Sequence, residues 1–549
     1  MKVFTMQTNI LFFSGLILIL NACGTYTKTN FRAVYYDELD LLKVKSARDS
    51  IYLKAHDYDG SVYIFQDEWL LDTAKHLISG KGKHFSAQRR LLQHGDLVIS
   101  TDDIVLYETN KTLTDGANAF LGPKLLISIG NVFLAGICVS VPKACFGSCP
   151  TFYTENTDNV FETKAEAFSS AISPGMEYTD IDDLQHIADG CGPFSLFMKN
   201  EALETHLVNH ARLLAFPLTE DIKYILHATD NTFHKVNQEK SPESVYGILA
   251  PRAECLTEKD NKEWTSMADP EKLASKEELI LEFDTEDMHL NENIGLKLTF
   301  RQTLMTTYML YHAISYMGDE YSDFLAKMEV SGIAGYKISR SFMKVFGEIE
   351  IYTRNYEGNW IFQGSFYETG PIAKNTQLCI FSNKSIQSEN GKIHVKLVYN
   401  KGLWRFDEAK LVSLSIPVQP SVLMPFFVSK NKIPDNTSLN HLTKPEKHLV
   451  SMPGDLFEIH YQIPCEDLQY QLFLDSRGYY LEWMRSNWLN DKNIKKLRQM
   501  LRDPAEWLNT EAPRYKMYEH QMEADFIESR IHNENKKLLQ SLTARAIDR

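Results

Sequence analysis

Apolar and polar residues alternate with a period of two along much of this chain, and that period predicts β-strands. Ser50-Ile51-Tyr52-Leu53-Lys54-Ala55 and Ser61-Val62-Tyr63-Ile64-Phe65 flank Tyr58-Asp59-Gly60, which reads as a hairpin closed by an Asp-Gly turn. The stretches 96–100 and 104–108 continue the pattern, so a small antiparallel module is expected there. From Leu125 to Val141 the chain is almost wholly apolar, rich in β-branched residues and broken by Gly130-Asn131, which favours a buried hairpin over a membrane helix. Thr151 to Phe168 reads as strand, polar turn, strand, and 278–283 as a strand with alternating faces. Between Thr299 and Lys327 the period changes: Leu304, Tyr308, Tyr311, Ile314 and Met317 fall three or four apart, the spacing of a helix with one apolar face. Short apolar segments at regular spacing from Phe346 to Val412 predict a β-sandwich. The last part of the chain opens with strands at 456–461 and 470–474 and passes into charged helices such as 519–540.

A chain of 549 residues exceeds what one hydrophobic core organises, so several modules are expected. The expected fold is multi-domain and mainly β, built of antiparallel modules that include a jelly-roll-like sandwich, with a helical insert and a helical C-terminus. The expected division is 1–22 a signal peptide, 23–120 an N-terminal β-module and 121–250 a second β-module. It continues with 251–345 a linker, strand and long helix, 346–425 the sandwich, and 426–549 a β-segment with C-terminal helices. The charged, turn-rich stretch from Pro251 to Lys276 reads as an inter-domain linker or a long loop.

The N-terminus carries an address. Lys2 precedes an apolar run from Ile10 to Leu20 that ends in Leu20-Asn21-Ala22-Cys23. This run is shorter than the roughly 20 residues needed to span a bilayer. Small residues before a thiol predict instead a bacterial lipoprotein signal, with Cys23 carrying acyl chains in place of a spanning helix. Cys23 is followed by Gly24-Thr25-Tyr26-Thr27-Lys28 with no acidic residue, which resembles an outer-membrane, periplasm-facing destination.

A formal net charge of −14 without a basic stripe argues against nucleic acid as a partner, because a phosphate backbone needs a basic face. After Cys23 the cysteines are Cys138, Cys145, Cys149, Cys191, Cys255, Cys379 and Cys465. Spacing leaves the pairing of Cys138, Cys191, Cys255, Cys379 and Cys465 open. The sharpest motif is Cys145-Phe146-Gly147-Ser148-Cys149-Pro150. Two thiols at this spacing before Pro also occur in periplasmic copper chaperones, where they grip a soft metal, but there the second cysteine opens a helix. Here a strand follows, so a small disulfide-closed turn between Cys145 and Cys149 is expected, with thiol or copper handling as the rival. His206 and His210, four apart, read as paired surface histidines, and the Asp57/Asp59 and Asp102/Asp103 pairs as turn residues rather than metal ligands.

No His-Glu-x-x-His, Gly-x-Ser-x-Gly, phosphate-binding or dinucleotide motif is present, so no catalytic residue, metal or cofactor is assigned. A carbohydrate-processing enzyme needs only two carboxylates brought together by the fold, and is retained as an alternative. The segments 143–153, 165–170, 180–184, 301–304, 368–373 and 476–483 resemble a family of uncharacterised bacterial envelope proteins, many of them lipoproteins. The resemblance implies an architecture and an address, and no activity. The stretch 346–412, with its Gly370-Pro371 turn and closing Trp404-Arg405-Phe406-Asp407, resembles galactose-binding-like jelly rolls. That resemblance makes Tyr356, Trp360 and Trp404 candidate ligand-binding aromatics. The resulting expectation is a lipid-anchored protein that acts by binding or assembly, through its membrane anchor and an envelope protein or glycan, rather than by chemistry.

Overall fold

The computed structural model describes residues 32–34, 53–109, 149–318 and 347–530, apart from short stretches inside those ranges. The signal run, Cys23, the apolar tract 125–141, Cys138 and Cys145 lie outside the described residues.

The N-terminal module is one antiparallel sheet of β1 (Arg32–Val34), β2 (Leu53–Asp57), β3 (Val62–Asp72), β4 (Leu77–Phe85), β5 (Leu91–Ser100) and β6 (Ile104–Thr109). Its spatial order is β1-β6-β2-β3-β4-β5. The expected hairpin is present, with Leu53 opposite Phe65 and Ala55 opposite Tyr63. Along β5 the alternation works as read: Leu97 and Ile99 are buried beside Phe65, Trp69 and Ile78, while Val98 between them faces out.

Two sandwiches make up the rest, and one is inserted into the other. The first pairs a sheet of β7 (Thr151–Glu155), β8 (Phe161–Glu166), β10 (Gly192–Lys199), β23 (Phe427–Lys430), β24 (Ile433–Pro434) and β26 (Leu456–Ile463) with a second sheet. That second sheet holds β9 (Tyr178–Ala188), β11 (Glu204–Leu218), β22 (Ser421–Leu423), β25 (Leu449–Ser451) and β27 (Gln469–Glu482). Leu196, Met198, Phe457, Ile459 and Tyr461 from one sheet meet Leu207, Leu213, Leu472 and Leu474 from the other in a shared core. Cys191 and Cys465 are joined by a disulfide at the end of the β10–β26 pair.

The second sandwich lies wholly between β11 and β22 in sequence. Its sheets are β12 (Ile225–His227), β13 (Phe233–Lys240), β16 (Asn293–Gln302), β19 (Asn375–Ile380) and β21 (Trp404–Val418), and β14 (Ser244–Tyr246), β15 (Lys276–Asp284), β17 (Ile349–Arg354), β18 (Trp360–Phe366) and β20 (Lys392–Asn400). The sandwich expected at 346–425 therefore draws partners from 225–302: β20 pairs with β15, and β21 with β16 and β13.

One local expectation is corrected. The helix expected from Thr299 is α1 (Met305–Met317), because Thr299 to Gln302 are the end of β16, paired with Glu408 to Trp404. The stretch 253–275 is a long, mostly irregular connection that packs on the second sandwich: Trp264 exchanges backbone hydrogen bonds with Phe406 at 2.7 and 2.9 Å, and its ring packs on Phe406. Helix α2 (Asn436–Thr443), capped by Asp435, packs on the first sandwich. Helices α3 (Ile494–Arg502), α4 (Pro504–Tyr518) and α5 (Met522–Glu528) follow β27. Asp503 caps α4 and Pro504 opens it, the favoured arrangement because proline at the first helical position forfeits no hydrogen bond. Met500, Trp507, Leu508 and Tyr515 join α1 in closing the core of the second sandwich.

Candidate functional site

The residues 370–375 run between the two sandwiches and bond to both. On one side the amides of Ile372 and Ala373 donate to one carboxylate oxygen of Glu166 at 2.8 and 3.3 Å. Gln185 donates to the Lys374 carbonyl and Asn375 to Asp182, at 3.3 and 3.4 Å. On the other side Gln302 donates to the Gly370 carbonyl at 3.3 Å and Arg301 to the Pro371 carbonyl at 2.6 Å. Gly370 lies close under the Glu166 carboxylate: a Cβ there would sit 2.0 Å from it, so the carboxylate would have to shift. Burial pushes the Glu166 carboxyl up from its ordinary value, and the amides of Ile372 and Ala373 and the Cys149 side chain oppose that shift.

Near Glu166 in sequence, the Phe168 amide donates to Asp180 at 2.9 Å, and Phe168 has a φ of +36°. The Tyr480 hydroxyl donates to the Ser169 carbonyl at 2.8 Å.

A buried ion network backs the seam. Arg301 on β16 lies directly opposite Arg405 on β21, a juxtaposition of like charges that is unfavourable unless anions intervene. Glu263 supplies one, binding Arg301 through Nε and Nη2 at 2.6 Å each. Glu523 supplies the other, 2.8 Å from Nε of Arg405 and 3.3 Å from Nη2 of Arg301. A bulge in the β16–β21 ladder passes over Asp407, whose fully buried carboxylate is met by Lys374 at 2.6 Å. Beside this network is a cavity of about 130 Å³ whose walls include Thr303, Arg405, Tyr515, Met522 and Glu523. Glu263, Asp407 and Glu523 lie in stretches whose sequence reads as linker, strand and charged helix. A buried carboxylate has no signal in sequence apart from its partner.

The candidate aromatics separate. Trp404 is 2% exposed and packs edge-on against Phe300 in the core, so it is not available to a ligand at the rim. Tyr356, 67% exposed, sits on the turn between β17 and β18, and the half-buried Trp360 ring lies under the Lys396 ammonium, 5.1 Å from its centroid. Trp404→Phe is expected to cost about 1–3 kcal/mol through the void it leaves, while Tyr356→Ala leaves the melting curve unchanged. Thermal unfolding of the two variants side by side checks this, and the reverse ranking would return Trp404 to the surface.

His206 and His210 are not a surface pair. A register shift at Val208 and His210 disturbs the strand's alternation. His206 is 1% exposed and 3.1 Å from Glu204, and burial lowers its pKa to about 3, keeping the ring neutral. His210 contacts Asp475 at 3.0 Å on the partly open face, where Arg212 holds the same carboxylate at 2.7 Å. Of the motif cysteines, Cys149 is buried at the foot of β7. Cys255 and Cys379 are free thiols, exposed and buried respectively.

No family model matches the chain, and no curated protein matches it. Among solved structures it is similar to that of infectious bursal disease virus Gt strain, at 10% identity over 90% of this chain and 94% of that one, with a TM-score of 0.15. It is also similar to the VP2 subviral particle of infectious bursal disease virus, at 8% identity over 70% and 88% of the two chains and a TM-score of 0.14. At those scores the likeness says nothing of this chain's fold or function.

Proposed function

We propose that this chain is a lipid-anchored protein of the bacterial cell envelope, held at the outer membrane by acyl groups on Cys23, and that its folded body binds or assembles with an envelope protein or glycan. The observation that carries the reading is the apolar run ending in Leu20-Asn21-Ala22-Cys23. The resemblance to uncharacterised envelope lipoproteins supports it. The folded body contributes apolar side chains for a partner to cover. Where the chain returns from the inserted sandwich to the first one, Ile416, Val422 and Phe426 are all more than half exposed. Isolated exposed apolar residues are ordinary, but several along one crossover suit an interaction surface.

Cys23→Ser tests the anchor. The variant is expected in the soluble fraction, unlabelled by a metabolic fatty-acid probe, because one residue carries the chains that hold the protein to the bilayer. A serine variant that stays labelled and sediments with membranes would overturn the reading.

A further inference from the structure

One face of the first sandwich carries a serine, a histidine and a carboxylate in line. Ser195 on β10 lies directly opposite His460 on β26. The carbonyls of Leu456 and His460 accept from the amides of Asn431 and Phe426, at the two ends of β23, at 2.7 and 3.0 Å. Alternate residues of β26, His460 among them, therefore turn their backbone groups away from β10. Ser195 and His460 are then a pair without mutual backbone hydrogen bonds, the kind whose side chains stand closest. The Ser195 hydroxyl is 3.1 Å from Nδ1 of His460. Glu458, two residues along the same strand and so on the same face, is 3.0 Å from Nε2 of that ring. Ser429 on β23 donates to the other Glu458 oxygen at 3.4 Å and steadies the carboxylate.

An ionised carboxylate only accepts, so Glu458 selects the tautomer that carries hydrogen on Nε2. Nδ1 then keeps its lone pair, accepts from the Ser195 hydroxyl and can take its proton, which is how a nucleophile, a base and an orienting carboxylate divide their roles. The group is open to solvent: the His460 and Glu458 side chains are 20% and 31% exposed, and Ser195 is half-buried. The Ser195 amide points away from β26 towards β7, whose pairing with β10 covers Phe197 to Lys199. The nucleophile's own amide is thereby a donor at hand for an oxyanion formed beside it. The rings of Phe426 and Phe427 stand 6.2 and 5.1 Å from the imidazole, and Phe426 is more than half exposed, which provides an apolar wall for a hydrocarbon group.

We propose that Ser195 is a nucleophile with His460 as its base and Glu458 as a positioning residue, and that this group hydrolyses esters of short hydrocarbon acids. Ser195 Oγ bonds to the ester carbonyl carbon and gives its proton to Nδ1, the bond from that carbon to the alcohol oxygen breaks, and the alcohol leaves with the proton. Water then attacks the acyl carbon and gives a proton to Nδ1, and Ser195 departs with it as the acid is released. The inference goes beyond binding or assembly and is independent of whether Cys23 carries lipid.

The probe is p-nitrophenyl butyrate, added to the full chain. Saturable release of nitrophenolate is expected at about 10²–10⁴-fold over buffer, the usual contribution of a positioned base. Ser195→Ala is expected to return the rate to that of buffer with an unchanged melting curve. In Glu458→Gln the side-chain amide can donate to Nε2 and hold the wrong tautomer, so kcat is expected to fall about tenfold or more with KM unchanged. A Ser195→Ala rate equal to wild type overturns the nucleophile, and an unchanged kcat in Glu458→Gln overturns the positioning role. Labelling of the wild type with a fluorophosphonate, mapped by mass spectrometry, needs no variant to fold: the label is expected on Ser195, and its absence there overturns the site.

Discussion

Arg301→Ala is expected to destabilise the protein by about 3–5 kcal/mol, the usual effect of removing one partner from a buried charge pair. The Arg301 and Glu263 side chains are only 14% and 11% exposed, so water does little to replace the lost partner. The mutation also removes the donors to Pro371 and Glu523, loosening the crossing at 370–375. Arg301→Lys restores the charge but not the planar fork that grips Glu263 through two nitrogens, so it is expected to recover only part of the loss. Denaturant unfolding of the three proteins, followed by tryptophan fluorescence, measures the difference. An alanine variant within about 0.5 kcal/mol of wild type, the range of an ordinary surface substitution, would mean that the network contributes nothing net.

Replacing both Cys191 and Cys465 by serine is expected to cost the first sandwich about 5–6 kcal/mol on a chain-entropy estimate. The bond closes a sequence separation of 274 residues. If the inserted sandwich stays folded while the outer one opens, the flexible part of that loop is much shorter. Because closure entropy grows only with the logarithm of length, the expected loss changes little. Alkylation without prior reduction, followed by mass spectrometry, establishes whether the bond is present. Denaturation midpoints of wild type and double variant give its effect. Two freely alkylated thiols at these positions in protein exported to an oxidising compartment would remove this disulfide from the fold.

Much of the strand content was legible because it rests on neighbours in sequence. The paired strands 53–57 and 62–65, the paired strands after Pro150 and the strands of 346–412 follow from alternation. The helix boundary near Thr299 was not legible, since Leu304 onward fits a helical period and Phe300 fits a strand. Only pairing with β21 decides between them. Trp360 and Trp404 likewise look alike in sequence, yet one is capped by Lys396 at a sheet surface and the other is enclosed by Phe300 and its neighbours.

The sequence by itself determined the β-rich class and the composition of each strand's two faces, because these depend on side chains within a few residues of one another. The tertiary structure alone decided the nesting, in which β11 pairs with β27 across the whole inserted sandwich. It alone brought Glu166, Arg301, 370–375 and Glu523 to one seam, and it alone joined Cys191 to Cys465. A charged residue in sequence reads as solvated. It becomes a buried structural element only when the fold supplies an opposite charge from a distant part of the chain, because desolvation is offset only by that partner.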